Sequence, residues 1–539
     1  MMRKRLPQAW RFLLPTVAGV AAAIVGMAQP IHARRAGQNV TAMPSTSGRA
    51  QAIAVATARG LAYVPGEVIF KFKNGTPTSF QQRALMAIRS RPQLSDVHWM
   101  HEIGLIHDDS QPDANVLAQQ LGEQAEVEYA HPNYLRQATP VARVVGSPVS
   151  PASNSSGTPG IPIRPIAAAA LTTPFTPFTP NDPDYGQLQW NFPLIGMPGA
   201  WGINPGGGSS VIVAVVDTGI TTTSQTLTTP LWNGSAFASA ALRFATSPDL
   251  SPSRLVNPQD LVFSPNNTVL DLDGHGTHVG STIGEDTNNG LGLAGIAFNV
   301  RIMPIKVCTG YWEAMIEQGQ TGTPGFATGV GTSCADSAII EGIQLAADAG
   351  AKVINLSLGG PEPDTGIQNA IADAVGEGAF VSIAMGNDAE NGNPTEYPAF
   401  YAAGINGAMS VAAVSSTMGH ASYSSSGSYC EIAAPGGDGP ESANTSFVWQ
   451  VTLNFNDQDP TLLVPRFDEY AEVGYSGTSM ATAHVSGLAA LIFSQYPNIK
   501  PAAVEALIKQ TAMNLGSSTQ FGSGLIQARA ALFGLGIAK

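Results

Sequence analysis

The chain has 539 residues, of which 12% are charged, with 58 glycines, 39 prolines and a formal net charge of −13. Such a length suits about two to four domains and a sizeable core. The composition excludes a coiled coil, and the negative charge, with no Lys/Arg cluster in the globular part, argues against nucleic acid or an anionic membrane surface as partner.

In chain order, a basic start (Arg3, Lys4, Arg5, Arg11), an apolar run from Phe12 to Ala28 and small residues at Gly26, Ala28 and Ala33 follow the grammar of a secretory signal peptide, expected over residues 1–33. A retained N-terminal anchor is the alternative. After signal removal no membrane segment is expected, and the protein is assigned outside the cell or to an envelope compartment. Residues 34–137 hold GEVIFKFK, SFQQRALMAI, DVHWMHEIGLIH, ANVLAQQLG and AEVEYAHPNY. Their periodicities alternate between strand and helix, which predicts a small ferredoxin-like α+β module without a catalytic constellation of its own. Residues 138–180 are rich in Pro, Ser, Thr, Ala and Gly and read as a protease-accessible linker.

From residue 181 to 539 the pattern becomes strand, helix, strand. SVIVAVVDTGI and VRIMPIKV are β-branched runs of the kind buried on both faces of a sheet. SAIIEGIQLAADAG then AKVINLSLGG, and GIQNAIADAVGEG then AFVSIAMGND, repeat one helix-strand unit, and AMSVAAV adds a strand. These units predict an α/β domain with a doubly wound, mostly parallel sheet. Its site belongs beyond the carboxyl ends of the strands, where Asp217, Ser357 and Asn387 fall.

Ser479 lies just inside the start of an almost wholly apolar helix, Met480 to Leu491. Unpaired N–H groups and the helix dipole there would stabilise an anion. Alone, Ser479 reads as a helix cap and Asp217 or Asn387 as a turn residue. Together with His275 in DLDGHGTHVGSTIG, they supply a nucleophile, a base, a carboxylate to hold the imidazole tautomer and an oxyanion donor. His278 reads as a packed core histidine. A zinc site on His275 and His278 needs a third ligand that the sequence does not offer, so no metal is assigned. Of Cys308, Cys334 and Cys430, the first two would close a Gly-rich insertion in an exported protein. This pair is the expected disulfide; a bridge to Cys430, or three free thiols, is the alternative.

VVDTGI, HGTHVG, SLGG, GND, SYSSSG, IAAPGG, SGTSMATAHVSGLAAL and GSGLIQA, in this order from about Asn181 onward, closely resemble the subtilisin-like serine peptidases. GEVIFKFK and VEYAHPNY resemble, less specifically, the inhibitory propeptide of that family. The resemblance implies a self-processing endopeptidase in which Ser479 is the nucleophile, His275 the base and then acid, Asp217 the orienting carboxylate and Asn387 the oxyanion donor. It makes Ser357, Leu358, Gly359 and Gly360 the edge that takes substrate backbone as an added strand. Ala384, Met385 and Gly386 become the opposite wall of the pocket for the residue before the scissile bond. The chemistry is acyl transfer through a covalent intermediate with no cofactor required; a structural calcium is compatible, at an unknown site. The expected partners are protein or peptide substrates and the chain's own propeptide, the expected state a monomer.

The sequence departs from the family at several positions. TTTSQTL follows VVDTGI, which puts Thr226 where a calcium-binding aspartate is usual, and Ala483 stands where the family has proline, which is expected to loosen crowding beside Ser479. Glu396, before Tyr397-Pro398 and near Asp388 and Glu390, falls at the floor of the specificity pocket, where it would favour Lys or Arg. A solvated or structurally paired glutamate is the other reading. Among rivals, a sedolisin-type peptidase lacks the histidine and an esterase needs a G-x-S-x-G elbow absent here. The remaining alternative is an exported, inactive binding protein on the same fold.

Overall fold

The computed structural model describes residues 48–138, 141–150, 176–233, 235–263, 268–321, 331–458 and 465–533. The expected signal peptide and most of the expected linker lie outside them. The described chain opens on a helix the sequence reading did not place, α1 (Arg49–Ala58). Glu317 accepts hydrogen bonds from the N–H groups of Gly48 and Gln51 at its N-terminus (3.1 and 2.7 Å), a carboxylate at the positive end of the helix.

The small module follows as β1 (Tyr63–Phe72), α2 (Thr78–Leu85), β2 (His98–Met100), β3 (Ile103–His107), α3 (Ala114–Gly122) and β4 (Val127–Gln137). The strand expected over DVHWMHEIGLIH is a hairpin, because His101 takes a left-handed turn conformation (φ 50°) between β2 and β3. The module strands pair antiparallel in the order β4-β1-β3-β2. Val68, Phe70, Leu85, Ile106 and Leu117 form the core between this sheet and its helices.

Within the stretch read as linker, residues 142–149 form a strand, β5 (Ala142–Val149). Its pairing uses backbone N–H and C=O groups and requires no apolar face, so composition did not reveal it.

The larger unit contains, in chain order, β6 (Ile212–Asp217), β7 (Gln225–Trp232), β8 (Phe237–Phe244), β9 (Gln259–Asp260), α4 (His275–Gly284), β10 (Arg301–Lys306), β11 (Cys308–Thr309), α5 (Tyr311–Thr321) and β12 (Ser333–Ala335). It continues with α6 (Asp336–Asp348), β13 (Val353–Leu356), α7 (Thr365–Glu377), β14 (Phe380–Ala384), β15 (Ala408–Val414), β16 (Ile432–Pro435), β17 (Val448–Leu453), β18 (Tyr470–Ser476) and α8 (Thr478–Gln495). Seven strands form one parallel sheet, ordered β16-β15-β14-β13-β6-β10-β9. Every residue of β6, β13, β14 and β15 is buried, which is why these runs carry no polar alternation. Helix α8 is buried from Thr478 to Phe493 and packs on β13 to β16 and on α4. Ala483 lies fully buried in it.

Insertions complete the unit. TTTSQTL leads into the hairpin β7–β8, in which Thr226 sits opposite Arg243. Cys308 and Cys334 face each other across β11 and β12 and form a disulfide, while Cys430 is a buried thiol. Strand β4 joins this pair, so the module sheet and the β11–β12 edge are one six-stranded sheet. On the other side, β5 adds to β18 in a sheet ordered β17-β18-β5.

Candidate active site

Asp217 closes β6 and His275 opens α4, and both are fully buried. They are 58 positions apart in sequence, yet His275 Nδ1 lies 2.7 Å from Asp217 Oδ1. The contact is set by the loop before α4. Asp271 accepts from the N–H groups of Asp273 (3.0 Å), Gly274 (2.9 Å) and Thr277 (3.1 Å) and from the hydroxyls of Thr277 (2.6 Å) and Thr218 (3.1 Å). Gly276 donates its N–H to Thr218 Oγ1 (2.8 Å). A Cβ on Gly276 would stand 2.4 Å from the Gly219 carbonyl oxygen, so only glycine permits this approach. Buried Lys306 donates to the Thr218 carbonyl (2.6 Å) and to Glu313 (2.8 Å), completing the support. Asp271, Thr218 and Lys306 were missed as positioning groups. The aspartate three residues before Gly274 was the available signal, an Asx-type turn former.

Burial disfavours the charged imidazole of His275, but the Asp217 carboxylate outweighs it and raises the pKa above the ordinary 6.5. His275 Nε2 has no hydrogen-bond partner among the described residues. His278 is a core histidine, as the sequence reading had it. It stacks on Tyr475 (ring centroids 4.3 Å apart), its Nε2 is 3.1 Å from the carbonyls of Val448 and Val473, and burial lowers its pKa to about 3.

Ser479 is the second residue of α8 and 3% exposed. Its hydroxyl donates to the Ser357 carbonyl (3.3 Å), and the Ser357 hydroxyl donates to the Ser479 carbonyl (3.0 Å). Asn355 donates to the Ser357 hydroxyl (2.9 Å) and accepts from Ser486 (2.8 Å), which laces the end of β13 to α8. Asn387 follows β14, and its side-chain oxygen accepts from both the N–H and the hydroxyl of Thr478 at 2.9 Å. With the oxygen engaged, the amide NH₂ is the end available beside the helix N-terminus.

The expected peptide edge is occupied by the chain itself. Gly359 accepts from the N–H of Gln137 (2.9 Å) and donates to its carbonyl (3.1 Å), while Gly360 exchanges two hydrogen bonds with Tyr397. Ser357 and Leu358 are buried beneath this edge, and Ala384 and Met385 are buried at the end of β14. Gly386 has φ 100°, and a Cβ there would stand 2.4 Å from Glu396 Cγ. A Cβ on Gly359 would meet Glu396 Oε2 at 3.5 Å, so the Glu396 carboxyl lies between the two walls. It is 1% exposed, and Oε1 has no partner among the described residues. Burial, reinforced by Asp388, pushes its pKa up to about 8. Glu390 is exposed.

This geometry coincides with a family match. The profile described as "Subtilase family" matches residues 208–524. The chain belongs to the subtilase family. Subtilisin DY of Bacillus licheniformis is 35% identical over 266 residues, 48% of this chain and 78% of that protein. Subtilisin of Bacillus pumilus is 33% identical over 60% of this chain and 91% of its own length, and thermitase of Thermoactinomyces vulgaris 32% over 65% and 97%. Among solved structures, fervidolysin from Fervidobacterium pennivorans, a keratinolytic enzyme related to subtilisin, has a similar fold at 22% identity, with a TM-score of 0.58 over 88% of this chain and 61% of that one. As a subtilase, the protein is a serine endopeptidase with a subtilisin-like fold.

Proposed function

We propose that this subtilase hydrolyses peptide bonds through Ser479, His275 and Asp217, with Asn387 as oxyanion donor. The observation that carries the reading is the 2.7 Å contact between two fully buried groups, His275 and Asp217, beside the serine helix at the carboxyl ends of the sheet. Asp217 holds the proton on Nδ1 and leaves Nε2 as the basic nitrogen. Rotation about the Ser479 Cα–Cβ bond releases the hydroxyl from the Ser357 carbonyl toward Nε2. Catalytic hydrogen bonds tighten in this way once substrate is bound. The serine oxygen then adds to the scissile carbonyl as its proton passes to Nε2. Negative charge on the carbonyl oxygen is met by the Asn387 NH₂ and the Ser479 N–H. Collapse expels the amine, which takes the proton from His275, and water reverses the sequence on the acyl-enzyme.

In this reading the precursor is exported and processes itself. The βαββαβ module is a ferredoxin-like propeptide whose last strand lies along the Gly359 edge as a substrate mimic, supported by the Gln137–Gly359 pair. Mass spectrometry of the secreted wild type beside Ser479→Ala tests this. The wild type is expected to lose the module and the variant to keep it; a wild-type chain still carrying residues 36–137 refutes self-processing. The pocket closed by Glu396 is assigned a Lys or Arg side chain before the scissile bond. Equal cleavage after Phe and Arg, unchanged in Glu396→Gln, would remove that assignment. A serine-reactive phosphonate that fails to label the processed protein would favour an inactive binding protein instead.

A further inference from the structure

Helix α1 (Arg49–Ala58) precedes the module in the chain, yet its buried side chains belong elsewhere. Among the described residues, the core between the module sheet and its own helices contains none from α1. Ala50, fully buried, instead joins Trp312, Met315 and Ile316 of α5. Ile53, 1% exposed, and Ala56 join a cluster that includes Leu261, Cys308, Cys334 and Ala335. The helix packs on α5, β11 and β12 of the larger unit and on β1 of the module.

The polar contacts of α1 point the same way. Glu317 of α5 holds the N–H groups of Gly48 and Gln51 at the start of the helix. Arg49 is 9% exposed, which is rare for arginine; Nη1 donates to the Leu261 carbonyl (3.1 Å) and Nη2 to the Ser337 hydroxyl. Thr57 Oγ1 lies 2.9 Å from Ser333 Oγ. The same two serines meet the last module strand: Gln137 donates to Ser333 Oγ (3.2 Å) and Asn133 to Ser337 Oγ (3.0 Å). Helix α1 and strand β4 therefore grip one short stretch of the enzyme, β12 and the start of α6, through shared hydroxyls.

Once the chain is cut beyond β4, only such contacts keep the module in place. Two of them joined through residues 59–62 and β1 act as a bivalent ligand, because when one lets go the other keeps it at high local concentration. Burial pushes the Glu317 carboxyl up to about 7 while the α1 N–H groups pull it down, so loss of α1 strips a buried acid of these donors.

On the reading of the module as a removable inhibitor, we propose that α5, Leu261, Ser333 and Ser337 form an exosite for the alanine-rich helix α1. Seated there, away from Ser479, the helix delays release of the cut module from the active site.

The test uses the full chain. Residues 48–58 leave with the module, so the mature enzyme from an α1 variant has the wild-type sequence, and any change in release belongs to α1. Mass spectrometry dates the cut and the phosphonate dates the first reactive serine; the interval between them measures how long the cut module stays. Arg49→Ala removes the contacts to Leu261 and Ser337. Ala50→Glu keeps a favourable residue in the first helical turn while setting a carboxylate among Trp312, Met315 and Ile316. Each is expected to shorten the interval about tenfold, with kcat/KM of the mature enzyme unchanged. A wild type with no interval, or an interval shortened less than about threefold in either variant, overturns the proposal. If a variant is never cut, hydrogen exchange on the cut wild-type complex decides. Amides of α1 as protected as those of β1 support the exosite; α1 exchanging as a free peptide while β1 stays protected removes it. Failure of the underlying reading is distinct, because the wild type is then not cut and no serine is labelled.

Discussion

Asn387 shows how much a single side chain is constrained: two donors from Thr478 hold its oxygen, so the amide cannot turn over without losing both. Asn387→Leu removes the donor and is expected to lower kcat by about 10²–10³-fold with KM little changed, as for loss of one oxyanion donor. Steady-state kinetics normalised to titrated serine measure this. In the proposed mechanism His275 must be neutral to accept the serine proton. Because Asp217 raises its pKa above 6.5, kcat/KM is expected to fall about tenfold per pH unit on the acid side, with a midpoint above 6.5. Glu396 has the opposite sense. Held near pKa 8, its carboxyl is mostly protonated at neutral pH and gains charge above it. The preference for Lys or Arg over a neutral residue at the cleaved position is expected to grow between pH 7 and 9, and to be flat in Glu396→Gln.

At the scale of elements, the edge proposed to bind peptide is short and held from outside. Strand β12 has three residues, pairs with the two-residue β11 and is tied to it by the Cys308–Cys334 disulfide, 26 positions apart. Closing a loop of that size is typically worth about 3 kcal/mol. Cys308→Ser is expected to lower unfolding free energy by about that amount, read by denaturant titration in a Ser479→Ala background that cannot digest itself. In the active enzyme the same change is expected to raise KM more than it lowers kcat, because in the proposed mechanism the loosened edge binds backbone and takes no part in the chemistry. An unchanged KM would mean that the edge keeps its shape without the bridge.

For the whole molecule, buried acids set the response to pH. Burial holds Asp249, Glu396 and Glu472 near pKa 8, and hydrogen bonding to Glu67 holds His107 near 9. In the unfolded chain these groups have released their protons by pH 7, so between pH 7 and 9 the folded state binds more protons. Stability therefore falls as pH rises through that window. The melting temperature of Ser479→Ala precursor is expected to drop from pH 7 to 9, and a flat or rising profile would contradict the assignment. The sequence by itself determined the parallel sheet, because strands buried on both faces are predominantly apolar and show no polar alternation, as in β6 before its terminal Asp217 and in β15 apart from Ser410. It also picked out His275 and Asp217, which lie 2.7 Å apart, because a base and its orienting acid each require one residue type beside glycines that let backbones approach. It did not reveal that β5 pairs with β18, that Glu396 is buried between Gly359 and Gly386, or that Ser479 turns to Ser357. Nor did it reveal Arg136 on Asp336, 200 positions apart. Those facts depend on which distant backbone edges are brought side by side. A contact across such a distance leaves no local period in the sequence, so only the tertiary structure decided it.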